Sequence, residues 1–432
     1  MISVTLLKSL FSPNACFSAV IFRSILYRNA HGGSNMNRNI RLSENIYYVG
    51  VNDRRTHLFE NLWPLEHGVS YNAYLIKDQK NVLIDTVEIA KTDHLIRELR
   101  AILGKEALHY LVVNHTEPDH SGALNALLKE WPELCVVGNK VTFRFLDGFY
   151  GTAPRKMAVE HGDILDTGKH RLRFYSTPMI HWPETMMSFE ESGGILFSGD
   201  AFGSFKTLDG GIFDDEIDVR DYEDEMRRYY SNIVGKYGKN VQRAFNLLAD
   251  LPVKMVASTH GPVFRKDPDW VLSRYARWSR EETKAGVVLV YGSMYGHTEE
   301  MADFTARCLK AAGVPRVLVY DASKTHPSYI LSSVWEYNGL VLASPAYNNE
   351  LFPSVKNVIE KFIERKMAHR FVALMGISTW SGGGVKGLNQ LVETLGWEIV
   401  GEPHEAKYAA GQEDLEKCRT LAEKLAERVL NC

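Results

Sequence analysis

Nowhere in these 432 residues do two cysteines stand close enough in the chain to clasp a metal. Cys16, Cys135, Cys308, Cys418 and Cys432 form no CxxC pair, which excludes a rubredoxin-type iron site and a structural zinc knuckle. A scattered, odd set of five suits a reducing compartment better than a disulfide framework, and each reads as a free thiol. No apolar run reaches the roughly 18–20 residues of a membrane-spanning helix. Surplus positive charge is missing too. Fifty Lys and Arg against 53 Asp and Glu leave a net charge of −3, with no bulk attraction for nucleic acid. Repeats and low-complexity tracts are also lacking.

One absence is local. From Met1 to Ser43 there is no Asp or Glu, while Lys8, Arg23, Arg28, Arg38 and Arg41 alternate with serines and short apolar stretches. That is the composition of an organelle-targeting presequence. The alternative is an over-called start, with Met36 opening "MNRNIRLSENIYYVG" where strand-like periodicity begins. The two readings imply an organelle matrix and the cytoplasm respectively, and residues 1–35 are set outside the fold.

What remains is too long for one ordinary core, and 45% hydrophobic with 24% charged residues is the balance of a soluble globular protein. Strand signals follow one another at "IYYVGVN", "YNAYLIK" and "NVLIDTV", then a helix near Asp93 to Leu103, then the strand "LHYLVVNH". "SGALNALLKEW" predicts a helix with Ser121 as N-cap. Strands are expected again at "LRFYSTP", "MMSFEE", "GILFSGD" and "VKMVASTHG", with one long amphipathic helix over much of Tyr222 to Leu251. Mixed strands and helices of this kind suggest two sheets covered by helices. After about Glu282 to Gly286 the texture changes to strict strand–helix alternation, with "VVLVYG", "RVLVYDA", "GLVLASPAY" and "FVALMGIST" as parallel strands buried on both faces. The expected domains are therefore 36–282 and 283–432.

The first domain carries "NHTEPDHSG", which sets His115, Glu117, Asp119 and His120 on one loop at a strand end. Imidazole nitrogen and carboxylate oxygen are what proteins offer divalent transition metals when thiolate is absent. Alone, the string is equally compatible with a capped, solvated turn. His181 in "HWPET", Asp200 ending "GILFSGD" and His260 ending "VKMVASTHG" add three more donors at strand ends. Seven donors suit a dinuclear site: three terminal ligands for each metal and one bridging carboxylate.

The spacing H-x-E-x-D-H followed by His181, Asp200 and His260 resembles the metallo-β-lactamase-like domain of the flavodiiron proteins, also called A-type flavoproteins. The strings "LFENLWPLEHGVSYNAYLI", "HWPET" and "FSGDAFG" are similar to that family as well, and the likeness runs from about Ile46 to the C-terminus. Hydrolases of the same fold have H-x-H-x-D-H and take zinc; Glu117 stands where their second histidine would be. A carboxylate in place of imidazole adds a hard anionic donor, which suits iron. The resemblance implies His115, Glu117 and His181 on one iron, Asp119, His120 and His260 on the other, and Asp200 as the bridge.

The second domain opens with "YGSMYGHTEEM" between an apolar strand and a helix, where phosphate would meet backbone N–H groups, the Ser293 and Thr298 hydroxyls and the positive helix end. It is neither a Walker loop nor G-x-G-x-x-G. Its S-x-x-G-x-T spacing resembles the phosphate loop of flavodoxins, which bind flavin mononucleotide (FMN). "SPAYNNELFP" and "GISTWSGGGVKGL" follow at later strand ends, where doubly wound folds bind ligands. The resemblance places FMN against Ser293, Met294, Tyr295, Gly296, His297 and Thr298 of the first loop. It adds Ser344, Pro345, Ala346, Tyr347, Asn348 and Asn349 of the second, and Ser378, Thr379, Trp380, Ser381, Gly382 and Gly383 of the third. Tyr295 stands where many flavodoxins have Thr.

The fold implied is an αββα metallo-β-lactamase-like sandwich followed by a flavodoxin-like doubly wound parallel sheet. The activity implied is reduction of dioxygen to water, of nitric oxide to nitrous oxide, or both, at a di-iron site. FMN would relay electrons from an external redox protein such as rubredoxin or a flavin/NADH reductase, since no rubredoxin sequence follows. A head-to-tail homodimer, or a dimer of dimers, would bring the partner's flavin to the irons. His67 and Tyr71, in "LEHGVSYN", are candidates to act beside the substrate pocket, against the plainer role of loop packing. Two rival functions remain: a di-zinc hydrolase with an attached flavodoxin module, and an electron shuttle whose first domain is a degenerate scaffold.

Overall fold

The computed structural model describes residues 40–432, so the expected presequence at residues 1–35 lies outside the described part. A mixed seven-stranded sheet runs in the order Arg41–Ser43, Ile46–Tyr48, Tyr74–Ile76, Val82–Ile84, Tyr110–Val112, Cys135–Gly138 and Lys156–Ala158. A five-stranded sheet runs Ile164–Asp166, Arg171–Ser176, Met186–Glu190, Ile195–Phe197 and Met255–Ala257. Successive side chains in a strand point to opposite faces, and that alternation builds the layers. Ile46, Tyr74, Ile76, Val82, Ile84 and Val112 face Leu172, Phe174, Met186, Ile195, Phe197 and Ala257 of the other sheet in one apolar cluster. Their neighbours Tyr47, Leu75, Leu83 and Leu111 turn outward, against helices such as Thr92–Leu103, which buries Leu95, Leu99 and Leu103 on one stripe. Two sheets face to face with helices outside make the αββα sandwich.

Lys284–Tyr291 then starts a third sheet, ordered Val317–Asp321, Lys284–Tyr291, Tyr337–Tyr347, Phe371–Ser378, Glu398–Ile399. These pairs are all parallel, and in sequence rank the order is 2-1-3-4-5, the flavodoxin-like arrangement. Its central strands are buried along nearly their whole length, which is why they read as continuous apolar runs. The sandwich and this half are packed together. The Trp335 indole N–H donates to the Trp278 carbonyl at 3.1 Å, and Arg228, almost fully buried, bonds the Pro64 carbonyl at 2.9 Å while its guanidinium lies over Tyr329.

Two local expectations are corrected. Ser121 is not an N-cap. It closes a four-residue helix, Pro118–Ser121, whose Pro at the first turn starts it, and its hydroxyl donates to the Thr116 and Glu117 carbonyls at 2.7 and 3.1 Å. The next helix begins at Leu124. Nor is Tyr222 to Leu251 one helix: Arg220–Tyr229 gives way to a π turn at Tyr230–Val234 and a 3₁₀ turn at Gly235–Tyr237 before Gly238–Leu248 resumes. The physical reason lies in "VGKYGK". A Cβ at Gly235 would strike the Trp335 ring and one at Gly238 the Ser279 carbonyl, so close packing at two glycines diverts the axis. The strands Cys135–Gly138, Lys156–Ala158 and Ile164–Asp166 had no clear signal in the sequence.

Candidate metal centre and flavin cradle

The strand Tyr110–Val112 delivers its donors through Asp85. This carboxylate, on a residue with φ of 53°, accepts the backbone N–H groups of Asn114 at 2.7 Å and His115 at 3.4 Å, fixing the chain where it leaves the sheet. Pro118–Ser121 then presents Asp119 and His120 from one turn of helix. His181 comes from the loop before Met186–Glu190, Asp200 from the turn after Ile195–Phe197, and His260 from the end of Met255–Ala257. All seven expected donors meet in two groups, one of His115, Glu117, His181 and Asp200, the other of Asp119, His120 and His260. Within each group the donor atoms lie within 4.8 Å of one another.

Asp200 joins the groups. Its Oδ2 lies 3.4 Å from His115 Nε2 and 3.2 Å from His181 Nε2, while its Oδ1 lies 2.9 Å from His120 Nε2 and 3.6 Å from His260 Nε2. Glu117 Oε2 closes the first group at 3.2 and 3.0 Å from His115 and His181, and Asp119 Oδ2 the second at 3.3 Å from both His120 and His260. Donors bonded to one first-row ion at about 2.0–2.2 Å stand roughly 3–4 Å apart, which is this spacing.

Glu117 Oε2 hydrogen-bonds His115 and His181, but the second group is not satisfied from within. Both Asp119 oxygens, both His120 nitrogens, His260 Nε2 and Asp200 Oδ2 are buried with no hydrogen-bond partner among the described residues. Buried polar atoms cost free energy unless paired, so lone pairs that converge without bonding point to a shared positive occupant. The electrostatics agree. Burial would lower His120 and His181, yet Asp119 and Asp200 beside the first, and Asp200 and Glu117 beside the second, push each up to about 9. Burial would raise Glu117 and Asp200, but the surrounding imidazoles hold both carboxylates below their ordinary range. The cluster demands positive charge, and protons supply what metal cations would displace. The residues present fit two metal ions.

A supporting layer aims the imidazoles. Glu184 Oε1 lies 2.8 Å from His115 Nδ1 and also accepts the Thr116 N–H and hydroxyl at 3.0 and 2.7 Å. His260 Nδ1 lies 2.7 Å from the Ser70 carbonyl, and the Thr259 hydroxyl donates to Asp200 Oδ1 at 2.8 Å. Hydrogen bonding at Nδ1 frees Nε2 to face a metal. Sequence reasoning missed Glu184 although "HWPET" was prominent; the three-residue step from His181 was its only signal. It also missed Asp85, and Tyr229, a fully buried tyrosine whose ring stands 5.5 Å from His260 and whose hydroxyl has no partner among the described residues. Of the two expected pocket residues, Tyr71 packs edge-on against His260 with centroids 5.8 Å apart. The His67 side chain is exposed, and its backbone carbonyl accepts from the Thr207 N–H and hydroxyl at 3.0 and 3.1 Å. Trp182 stands 5.2 Å from His115, nearly perpendicular, as a wall.

The three loops of the C-terminal half lie at the carboxyl ends of adjacent strands. Gly296, with φ of 94°, turns the first into the helix His297–Ala311; its N–H donates to Ser293 Oγ at 3.0 Å, and Thr298 is buried in the first turn. Asn348 and Asn349 adopt φ of 52° and 64°, and Gly383, φ 126°, lies so close that a Cβ would meet the Asn349 carbonyl. Ser381 Oγ hydrogen-bonds Asn349 Oδ1, and Ser378 Oγ accepts from Lys407 Nζ at 2.9 Å. Around this rim Met294, Tyr295, Tyr347 and Trp380 are exposed, Tyr295 by 88% and Trp380 by 78%. Large rings with their faces in water, beside a helix N-terminus at the strand-order switch, fit a phosphate-bearing aromatic cofactor. His297 is exposed, Ser344 is buried with its hydroxyl turned to the Pro345 carbonyl, and Ala346, Thr379 and Gly382 complete the loops.

Comparison with known proteins is decisive on kinship. Residues 69–261 match the family model described as ODP family beta lactamase, and residues 289–421 match that of flavodoxin. The nitric oxide reductase of Moorella thermoacetica is 30% identical over 399 residues, covering 91% of this chain and 100% of that protein. The chain belongs to the flavodiiron protein family. An Escherichia coli anaerobic nitric oxide reductase flavorubredoxin is 31% identical over 396 residues, covering 90% of this chain and 82% of that one. Among solved structures, rubredoxin:oxygen oxidoreductase from Desulfovibrio gigas superposes with a TM-score of 0.87 at 27% identity, covering 91% and 99% of the two chains. A flavo di-iron protein variant from Thermotoga maritima gives 0.83 at 27% identity, covering 90% and 98%. This flavodiiron chain therefore carries the two folds and the two cofactor types, FMN and a non-haem di-iron centre, expected from its residues.

Proposed function

We propose that this flavodiiron protein is an oxidoreductase that reduces dioxygen to water, nitric oxide to nitrous oxide, or both, at a di-iron centre fed by FMN. The observation that carries the reading is Asp200, with one oxygen turned to each three-donor group. When bound, the irons supply a pair of adjacent one-electron donors open to a small oxidant, and the flavin recharges them. The chain's part is to hold those donors rigidly. His115, Glu117 and His181 would grip one iron, Asp119, His120 and His260 the other, with Asp200 between. Glu184 and the Ser70 carbonyl fix two of the imidazoles, Tyr71 and Tyr229 flank His260, and Trp182 shields His115 from water. We take residues 36–282 as the iron-binding domain and 283–432 as the flavin-binding one.

An external redox protein, rubredoxin or a flavin/NADH reductase, is the donor this reading calls for. A head-to-tail homodimer is the proposed assembly; exposed aromatics around the flavin rim, and Phe149 beside Trp182 near His181, are the surfaces it would cover. The four described cysteines are all free, which supports a reducing compartment, cytoplasm or organelle matrix. No helix among the described residues is long and apolar enough to cross a membrane. The di-zinc hydrolase is disfavoured, because the relatives are reductases and Glu117 stands at the hydrolases' histidine position; the intact donor set likewise disfavours a bare electron shuttle.

The test is iron and FMN analysis of purified protein, then anaerobic reduction with a defined donor and separate consumption assays for each gas. Two irons and one FMN per chain with gas consumption are expected. Zinc with hydrolytic turnover and no gas consumption would overturn the reading.

A further inference from the structure

The stretch "LFENLWP" forms a hairpin, Leu58–Phe59 paired with Trp63–Pro64, that lies between the metal centre and the C-terminal half. Its turn is closed by the Leu62 N–H donating to the Phe59 carbonyl at 2.9 Å, and Glu60 and Asn61 take φ of 52° and 54°. Such turns favour Asn and Gly, so a glutamate at the first position is strained and persists only where its surroundings enforce it.

What enforces it is Trp63. Its buried indole N–H donates to Glu60 Oε2 at 2.8 Å. The ring is gripped from the C-terminal half. His326, which caps the helix Pro327–Glu336, meets it edge-on at 6.1 Å, and the Arg365 guanidinium lies 5.4 Å from its centroid. Arg365 Nη2 donates onward to the Asn232 carbonyl at 2.9 Å, in the π turn that follows Tyr229. The inner side of the hairpin faces the metal donors. The Phe59 ring stands 5.3 Å from His260, nearly perpendicular, and the Glu60 carboxyl lies beside the Glu117 carboxylate and the His181 imidazole.

We infer that Trp63 is a positioning residue for the metal centre, through which the flavin-binding half fixes Phe59 against His260 and Glu60 beside Glu117. It acts through these neighbours and not on a metal itself. The inference needs the two irons but not the identity of the gas, so it and the reductase reading can fail separately.

The test uses full-length, iron- and FMN-loaded protein and reads the irons without turnover. The measurements are the EPR spectrum of the half-reduced centre and the affinity of the oxidised centre for azide. Trp63→Phe keeps an aromatic ring and removes the N–H. Arg365→Gln loosens the same ring from the other half, and serves if Trp63→Phe misfolds. Each is expected to broaden or split the EPR signal and weaken azide binding about 3–10-fold, the worth of one lost hydrogen bond or cation–ring contact, with iron and FMN content unchanged. Glu60→Gln keeps an acceptor for the indole and is expected to stay within about twofold of the unsubstituted protein, whereas Glu60→Ala follows Trp63→Phe. Unaltered spectra and azide affinity in Trp63→Phe and Arg365→Gln overturn the inference. Equal weakening in Glu60→Gln and Glu60→Ala also overturns it, by assigning the effect to the Glu60 charge, and loss of iron in both ring variants does so by assigning Trp63 to the fold alone. Expected spectra without consumption of either gas would sink the reductase reading and leave the positioning role standing.

Discussion

Glu184 Oε1 stands 2.8 Å from His115 Nδ1, although 69 residues separate them in the chain. Burial raises this carboxyl, but its contact with His115 and the Thr116 hydroxyl and N–H hold it below its ordinary range, so it stays anionic and orients the ring. Partners of this kind typically change metal affinity by about 10–100-fold when removed. Glu184→Gln is therefore expected to weaken iron binding by that order, read by chelator competition, with the fold retained by circular dichroism. Unchanged retention of iron would show that His115 needs no orienting carboxylate.

Asp200 is the stricter case. Replacing it with Asn keeps the volume and removes the charge that faces both three-donor groups. Iron content is expected to fall well below two per chain, with gas consumption lost and FMN content unchanged, measured by elemental analysis and flavin absorbance. Full iron loading in Asp200→Asn would refute the bridging arrangement.

Gly383 is expected to be intolerant of a side chain. At φ 126°, with the Asn349 carbonyl occupying the Cβ position, Ala costs on the order of 1–3 kcal/mol or displaces the loop. Gly383→Ala is expected to purify with less FMN per chain while keeping its iron. Equal FMN content would exclude this loop from the cradle.

Away from the centre, His170 Nδ1 pairs with buried Glu190 Oε1 at 2.9 Å. The hydrogen bond to Glu190 outweighs burial and raises His170 above its usual 6.5. Burial raises Glu190, but His170 and the Gly193 and Ser192 N–H groups carry it below its usual 4.5. A raised histidine contributes stability that is full below its unfolded value and fades as pH climbs through the folded one. A lowered carboxylate contributes above its unfolded value and fades as pH falls through the folded one. The pair thus stabilises most between about 4.5 and 6.5 and weakens above that. His170→Gln is expected to flatten the decline in Tm between pH 6 and 8, measured by calorimetry; an unchanged profile would assign the decline elsewhere.

The donor string from His115 to His120, the phosphate loop at Ser293 to Thr298 and the period-2 strands were legible because each is a short-range pattern. Donor type, turn residue and side-chain alternation are set within about ten residues of chain. Ser121 misled because a single hydroxyl before an apolar run looks like a cap, whereas Pro118 had already started a helix three residues earlier. The break in Tyr222 to Leu251 was hidden because its cause, Trp335 against Gly235, lies a hundred residues away.

By itself, the sequence determined which chemistry was on offer: nitrogen and oxygen donors without thiolate, a carboxylate at Glu117, and loops able to cradle a flavin phosphate. Only the tertiary structure decided that Asp200 turns a different oxygen to each group, that Glu184 reaches His115, and that Tyr71 lies against His260 while the His67 side chain faces solvent. Those relationships depend on sheet register and helix packing between distant segments, which are fixed cooperatively when the layers bury their apolar faces and are written in no single stretch of chain.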